Sequence, residues 1–149
     1  MFGRYLDALA TYRDRLPKGV AQFAGDEERF VLTHPKSLHD ARLKQTTITE
    51  TAGRDDRPSF VEIELLLDGQ QGDRYIRITY QNVARYEIRG KQEQLGSHDS
   101  FHGDVFTHEV RIGEIAGVVH EVLFASGSTI EIECLDFQVQ DEIHSPKKG

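Results

Sequence analysis

The 149-residue sequence contains one cysteine, no tryptophan and no apolar run long enough to cross a bilayer. A single cysteine, Cys134, excludes both an intramolecular disulfide and a cysteine-based zinc cluster within the chain. It favours a reducing compartment. The first residues carry charges every few positions and lack the apolar segment of a secretory signal. These absences predict a cytoplasmic protein without a membrane segment.

Basic residues are also in short supply, because 18 Lys and Arg stand against 25 Asp and Glu, for a net charge of -7. Nucleic-acid surfaces depend on Lys and Arg to neutralise phosphates, so this composition argues against nucleic acid as a partner. An acidic protein instead attracts basic partners.

The motifs of common enzymes are missing. The glycine-bearing segments lack the strand-to-helix context and the Lys-Ser/Thr ending of a phosphate-binding loop, and there is no G-x-S-x-G elbow. Seven histidines are present, but no two of them are spaced four apart in a credible helix. We therefore assign no catalytic residue, cofactor or metal site, and favour a non-enzymatic role.

A helical pattern opens the chain, because apolar residues recur at helical spacing across residues 1–16. Pro17 and Gly19 are expected to end this helix. Its apolar stripe, expected to pack on a sheet, consists of Phe2, Tyr5, Leu6, Leu9, Tyr12 and Leu16. Residues 20–35 give no clear pattern.

Alternating apolar and polar residues, the pattern of half-buried strands, fill residues 41–89 and 104–140. The first group includes a hairpin closed by DGQQGD and a short further strand over residues 84–88. The second group forms a three-stranded antiparallel meander, and the polar residues 90–103 form the loop before it. The sequence predicts one α+β domain over residues 1–149, with the N-terminal helix packed on a mainly antiparallel, curved sheet or a two-layer β-sandwich of about seven strands.

Two turns set the register of the meander. If GEIAG is centred on Ile115, Val110 lies opposite His120. If ASGST is centred on Gly127, His120 lies opposite Cys134. The face shared by these residues then carries Phe106, Val110, Ile112, Val118, Val122, Phe124, Ile130 and Ile132.

The histidine and cysteine on this apolar face have two interpretations. His120 beside Cys134, with His108 one diagonal away, could activate a thiolate or hold a metal. However, an isolated cysteine is usually buried, and a neutral histidine with satisfied ring nitrogens can sit beside it without function. Burial in the core is the favoured interpretation.

The opposite face of the meander carries an unusual row of glutamates. The same registers align Glu109, Glu121 and Glu133 across three strands, with Glu131 next in line. Directly opposed like charges destabilise a sheet. Water and arginines such as Arg111 or Arg77 could screen the row. It could instead form a docking face for a basic protein, or, least favoured, hold a divalent cation.

A His39-Asp40 pair precedes the first strand and could bind metal or perform acid and base chemistry, although an Asp at this place more often stabilises a turn. The segments SLHDARL, VEIELLL and DRYIRITYQNVARYEI, over about residues 35–89, resemble small bacterial β-rich domains with a His-Asp motif before the first strand. Some of those domains are immunity proteins of polymorphic toxin systems. The resemblance implies a non-enzymatic protein binder.

The preferred hypothesis is a cytoplasmic protein-binding module, such as an immunity protein that presents the face with Glu109, Glu121, Glu131 and Glu133 to a basic partner. One alternative is a metal- or small-ligand-binding protein, or a weak hydrolase that uses His39, Asp40 and the loop histidines His98 and His102. Another is a structural or homodimerisation domain.

Overall fold

A computed structural model describes residues 2–93 and 100–144. These residues form two α-helices, two short 3-10 turns and six strands. The strands make one antiparallel sheet in the order β1-β2-β3-β6-β5-β4, so the fold is α+β. The helices are α1 (Phe2–Tyr12) and α2 (Lys18–Ala24), and the strands are β1 (Arg42–Thr51), β2 (Phe60–Asp68), β3 (Arg74–Arg89), β4 (Val105–Arg111), β5 (Val118–Phe124) and β6 (Thr129–Ile143).

The described residues form six strands in one open, curved sheet. The sequence predicts about seven strands, with a two-layer sandwich as one option. The difference in number arises in β3. The polar step at Gln81 and Asn82 predicts two separate strands, but the backbone continues through it. Asn82 takes a left-handed φ of 51°, and the register with β6 slips between Val83 and Arg85. One bulged strand therefore replaces two predicted ones.

The helical region differs from the single helix predicted for residues 1–16. Helix α1 ends at Tyr12 and is followed by a 3-10 turn over Arg13–Arg15. Pro17 then precedes α2 instead of ending the helical structure, since proline is well suited to the start of a helix. Most of α2 lies in residues 20–35, the segment whose sequence gives no clear pattern.

Both helices contribute to a single apolar core on one face of the sheet, which we call the core face. Helix α1 packs near β4 and α2 near β6. The helical region supplies Leu9, Leu16, Val20, Phe23 and Ala24 to this core, all of them buried. Residues that pair directly on neighbouring strands share a face, so the register also defines the opposite, outer face.

The sheet curves until its two edge strands meet at one corner. The Val105 N–H donates to the Ala41 carbonyl at 2.7 Å, and the Asp40 N–H donates to the Val105 carbonyl at 2.9 Å. A bulge between Val105 and Thr107 accompanies this junction. As a result Val105 is fully buried while Phe106 is 52% exposed, and the prediction that Phe106 faces the core is wrong.

Helix α1 covers part of the free edge of β4. The Tyr12 hydroxyl donates to the Val110 carbonyl at 2.6 Å, and the Val110 N–H donates to the Tyr5 hydroxyl at 3.4 Å. Burial raises the pKa of both tyrosines, so they remain neutral donors. These contacts satisfy backbone groups that an edge strand would otherwise offer to another chain.

Candidate functional site

The outer face carries the glutamate row, with a register that differs in part from the predicted one. Glu109 pairs with Glu121 as expected from a turn centred on Ile115. Glu121 then pairs with Glu131, and Glu133 lies opposite Val119. The row is therefore Glu109, Glu121 and Glu131, and the predicted Glu121–Glu133 pairing is wrong.

The two-residue difference comes from the turn between β5 and β6. Leu123 pairs with Thr129, which centres the turn on Ser126 rather than on Gly127. Gly127 occupies a left-handed position with φ 96°, and its N–H donates to the Phe124 carbonyl. Glycine thus supplies the positive φ after the apex of the turn. Moving the centre of the turn by one residue shifts each β5–β6 pairing by two residues. Because strand side chains alternate between faces, every residue of these two paired segments keeps its predicted face of the sheet.

Arg111 stabilises the row by bonding to all three of its glutamates. Its guanidinium donates to Glu109 at 3.1 Å, to Glu121 at 3.0 Å and also to Glu131. Burial acts to lower the pKa of Arg111, but the hydrogen bond and charge of Glu121, with the other two carboxylates, raise it overall. The guanidinium therefore offsets the repulsion among like charges and fixes the carboxylates in place.

Glu133 has a different role from the rest of the set and is only 2% exposed. One carboxylate oxygen accepts the backbone N–H groups of Ile115 and Ala116, the latter at 2.8 Å. The loop between β4 and β5 therefore folds over the outer face at this point. A Cβ at Gly113 would lie 2.8 Å from Glu133, so glycine permits the close approach. The predicted partner-binding role does not suit Glu133 because it is enclosed.

Acidic groups outnumber basic ones across the outer face as a whole. Arg77 sits between Glu64 and Glu142 and bonds to both. The strand register and contacts place on this face Glu62, Glu64, Glu87, Glu109, Glu121, Glu131, Glu133 and Glu142 against Lys44, Arg77, Arg85, Arg89 and Arg111. The face also exposes Leu135 by 54%. It is thus acidic and partly apolar.

On the core face, the predicted opposition of His120 and Cys134 is wrong. Cys134 pairs with Val118, and His120 pairs with Ile132, because the β5–β6 turn is displaced as described above. Cys134 is fully buried, and burial raises the pKa of its thiol to about 12. A thiol of this kind is neither a ready nucleophile nor a metal ligand.

The polar residues of the core form a hydrogen-bonded chain instead, which we call the histidine chain. The Tyr80 hydroxyl lies 2.6 Å from His120 Nδ1, His120 Nε2 lies 3.1 Å from His108 Nδ1, and His108 Nε2 lies 3.1 Å from the Arg29 carbonyl. Tyr80 and His120 are fully buried, and His108 is 4% exposed. The chain joins the sheet to the 3-10 turn Glu27–Arg29 that follows α2.

The Arg29 carbonyl, at the end of the histidine chain, fixes the direction of every hydrogen bond in it. Because the Arg29 carbonyl can only accept, His108 carries its proton on Nε2, and a neutral His108 then accepts at Nδ1. His120 must donate from Nε2 and accept the Tyr80 hydroxyl proton at Nδ1. Burial lowers the pKa of His108 to about 4. Burial and the neighbouring His108 lower the pKa of His120 well below its usual range.

The sequence pointed to His108 and His120 of the histidine chain, but Tyr80 was missed. A signal for it was present, because Tyr80 continues the alternation of Ile76 and Ile78 and therefore points to the core. A buried tyrosine hydroxyl and a buried imidazole each need a partner. Pairing the polar groups predicted to be buried would have suggested this contact.

The His39-Asp40 motif lies at the corner where β1 meets β4. His39 Nδ1 is 2.8 Å from the Phe106 carbonyl and must donate to it, while Nε2 is 3.4 Å from the Asp40 carboxylate. Asp40 adopts a left-handed φ of 63°, a conformation that Asp tolerates better than most residues. Both residues thus have structural contacts at this corner.

The loop histidines do not join this motif among the described residues. His102 Nδ1 lies 2.8 Å from the Ser128 hydroxyl, which is only 1% exposed and is enclosed by Lys91 and Ser126. His98 lies outside the described residues. Across residues 2–93 and 100–144, no group of three or more His, Cys, Asp or Glu side chains is placed to hold a metal ion.

Comparisons with known proteins give no further identification: no family model, no curated protein and no solved structure matches the chain. None of the helices in the described part of the chain is long and apolar enough to cross a bilayer.

Proposed function

We propose that the protein is a non-enzymatic, cytoplasmic binding module whose outer sheet face docks on a basic protein. The observation that carries this proposal is the excess of carboxylates on the sheet face opposite the helices. The net charge of -7 supports it, since a basic partner would be attracted over a distance. The single buried Cys134 is compatible with a reducing compartment.

Arg111 prepares this face for binding. Glu109 and Glu121 keep side-chain exposures of 49% and 37% while bonded to the guanidinium. Their remaining lone pairs are open to lysine or arginine side chains of a partner. Because their positions are already fixed, less side-chain entropy is lost on binding. Exposed Leu135, farther along β6, adds apolar area.

The kind of partner we favour is a basic toxin, with this chain as its immunity protein. The resemblance of residues 35–89 to small bacterial β-rich domains, some of which are immunity proteins, supports this choice, as does the acidic face. An immunity protein needs no catalytic group. A toxin-like reading frame beside the gene would add support.

A pull-down from the native cells tests the proposal. A variant carrying Glu109→Gln and Glu121→Gln keeps the side-chain shapes and leaves Arg111 bonded to Glu131. We expect it to fold normally and to bind the captured partner about fivefold more weakly, with a smaller dependence on salt.

The matched control carries Asp7→Asn and Asp14→Asn, two exposed carboxylates of the helical region. It changes the net charge by the same amount but leaves the outer face intact. If both variants weakened partner binding equally, the cause would be the overall charge and not the outer face. Unchanged binding by the outer-face variant would remove Glu109 and Glu121 from the interface and contradict the proposal.

A further inference from the structure

Strand β3 has a free edge over its second half. Strand β2 pairs with β3 from Tyr75 to Tyr80, and beyond Tyr80 only β6 flanks β3 among the described residues. The left-handed Asn82 and the nearby bulge mark the point at which β3 separates from β2. The next residues, 84–89, are all exposed. Their outward N–H and C=O groups form a template for another strand.

On the core face, apolar side chains that lie side by side on β6 and β3 continue to this edge, where no further strand covers them among the described residues. Tyr86 pairs with buried Ile132, and Ile88 pairs with buried Ile130. However, Tyr86 is 45% exposed and Ile88 is 41% exposed. A further strand beside β3 would continue both rows and cover these side chains.

The two strands at the ends of the sheet, β1 and β4, are less suitable. Helix α1 satisfies backbone groups of β4 at Val110, and His39 satisfies the Phe106 carbonyl. The first residue of β1, Arg42, bridges to Asp104 just before β4, and along the rest of β1 only Ile48 is a large exposed apolar residue. The second half of β3 is therefore better suited to pairing than either of these two strands.

The charges on this edge identify its partner. Arg85, Glu87 and Arg89 alternate on the outer face, while Tyr86 and Ile88 lie on the core face. We propose that the edge pairs with the same edge of a second copy of the chain, antiparallel and with Tyr86 on the two-fold axis. Arg85 of each copy then faces Glu87 of the other, and the two Tyr86 side chains meet at the centre.

Other symmetric registers are less favourable. Outward hydrogen-bonding groups occur on alternate residues, so a two-fold axis must pass through a residue pair. An axis at Glu87 sets the two Glu87 side chains together and Arg85 against Arg89. An axis at Arg85 opposes two arginines. An axis at Ile88 pairs Glu87 with Arg89, but it also sets Arg85 against Lys91, past the end of the strand. Among these registers, only the axis at Tyr86 pairs opposite charges without also opposing like charges.

Disulfide trapping on the full chain tests both the dimer and its register. In the Tyr86 register, the two Cα atoms across the axis are about 4.5–5.5 Å apart, which lies within disulfide reach. Tyr86→Cys should therefore form a covalent dimer under mild oxidation. Ile88→Cys is the matched control, because its two Cα atoms would be about 13 Å apart. Cys134 is buried in both variants.

A charge exchange gives an independent test by sedimentation over a wide concentration range. Glu87→Arg should raise the dimer dissociation constant about tenfold, because two Arg85–Glu87 pairs are lost. The double variant Arg85→Glu with Glu87→Arg should restore it to within about threefold. Arg85 also contacts Glu131 in its own chain, so circular dichroism should establish that the double variant is folded.

Three results would overturn the proposal: a wild-type chain that stays monomeric at every concentration, trapping through Ile88→Cys in preference to Tyr86→Cys, or a dimer unaffected by Glu87→Arg. These measurements contain no other protein. Their outcome is therefore independent of whether the outer face binds a basic partner.

Discussion

Mild acid should weaken the fold through the histidine chain. His108 has a pKa of about 4 in the folded protein because of burial, against about 6.5 when unfolded. Between these values the unfolded state binds the proton and the folded state does not. The contribution of neutral His108 to the unfolding free energy is therefore complete above about pH 6.5 and is lost as the pH falls toward 4.

The size of the effect follows from these pKa values. With a folded pKa of about 4, His108 alone should remove about 2 kcal/mol of unfolding free energy between about pH 7.5 and pH 5. His120 adds to the loss in the same direction, because its pKa is also lowered. Protonation of either ring would also reverse a hydrogen bond within the chain, since an imidazolium can only donate.

Urea unfolding at these two pH values measures the effect. The pH stays above the range in which carboxylates with lowered pKa, such as Asp141, titrate. In the variant His108→Gln, the change in unfolding free energy between the two pH values should be about 2 kcal/mol smaller than in the wild type, whatever the variant's stability at neutral pH. His34→Gln is the control, because His34 is partly exposed and lies outside the core. Equal pH dependence in wild type and His108→Gln would refute the reasoning.

Three further predictions concern single side chains. Tyr80→Phe should cost about 1–3 kcal/mol in urea unfolding at neutral pH, because it leaves His120 Nδ1 buried without a donor. Glu133→Gln should cost about 1–2 kcal/mol by weakening the hold on the β4–β5 loop, whereas Glu121→Gln should cost less than about 1 kcal/mol. Cys134 should resist alkylation in the native protein and react once urea unfolds the chain, as mass spectrometry can follow, because burial raises its pKa to about 12.

The parts of the fold that follow local rules were predictable from the sequence. Alternation located the strands of residues 41–89 and 104–140, since period-two burial is a property of each strand by itself. The register of β4 with β5 was also correct, because the turn centred on Ile115 is nearly symmetric. Val110 faces His120 and His108 faces Val122 as predicted.

The errors arose where a residue departs from regular strand geometry. Gly127 takes its left-handed conformation after the turn apex, which moved the partner of Glu121 from Glu133 to Glu131. The bulge after Val105 turned Phe106 outward. Sequence alternation carries no information about where such an extra residue is inserted, because bulges depend on contacts with distant segments.

The candidate site was predicted only in part for the same reason. Alternation placed Glu109, Glu121, Glu131 and Glu133 on one face, but it could not show that the loop closes over Glu133. Arg111 was expected to screen the row, and the structure shows it bonded to three of its members. These distinctions depend on side-chain contacts rather than on strand periodicity.

The position of β6 in the sheet has a consequence for synthesis of the chain. Strand β6 is the last of the six described strands to be made, yet it lies between β3 and β5. Helix α1 is made first, yet its Tyr12 bonds to Val110, 98 residues later. A chain emerging from the ribosome at roughly 5–20 residues per second must therefore hold α1 without its contact on β4, and β3 without its long pairing with β6, for several seconds. Completion of the sheet should wait until β6 has emerged, so premature termination before Thr129 should leave β3 and β5 without the strand that joins them.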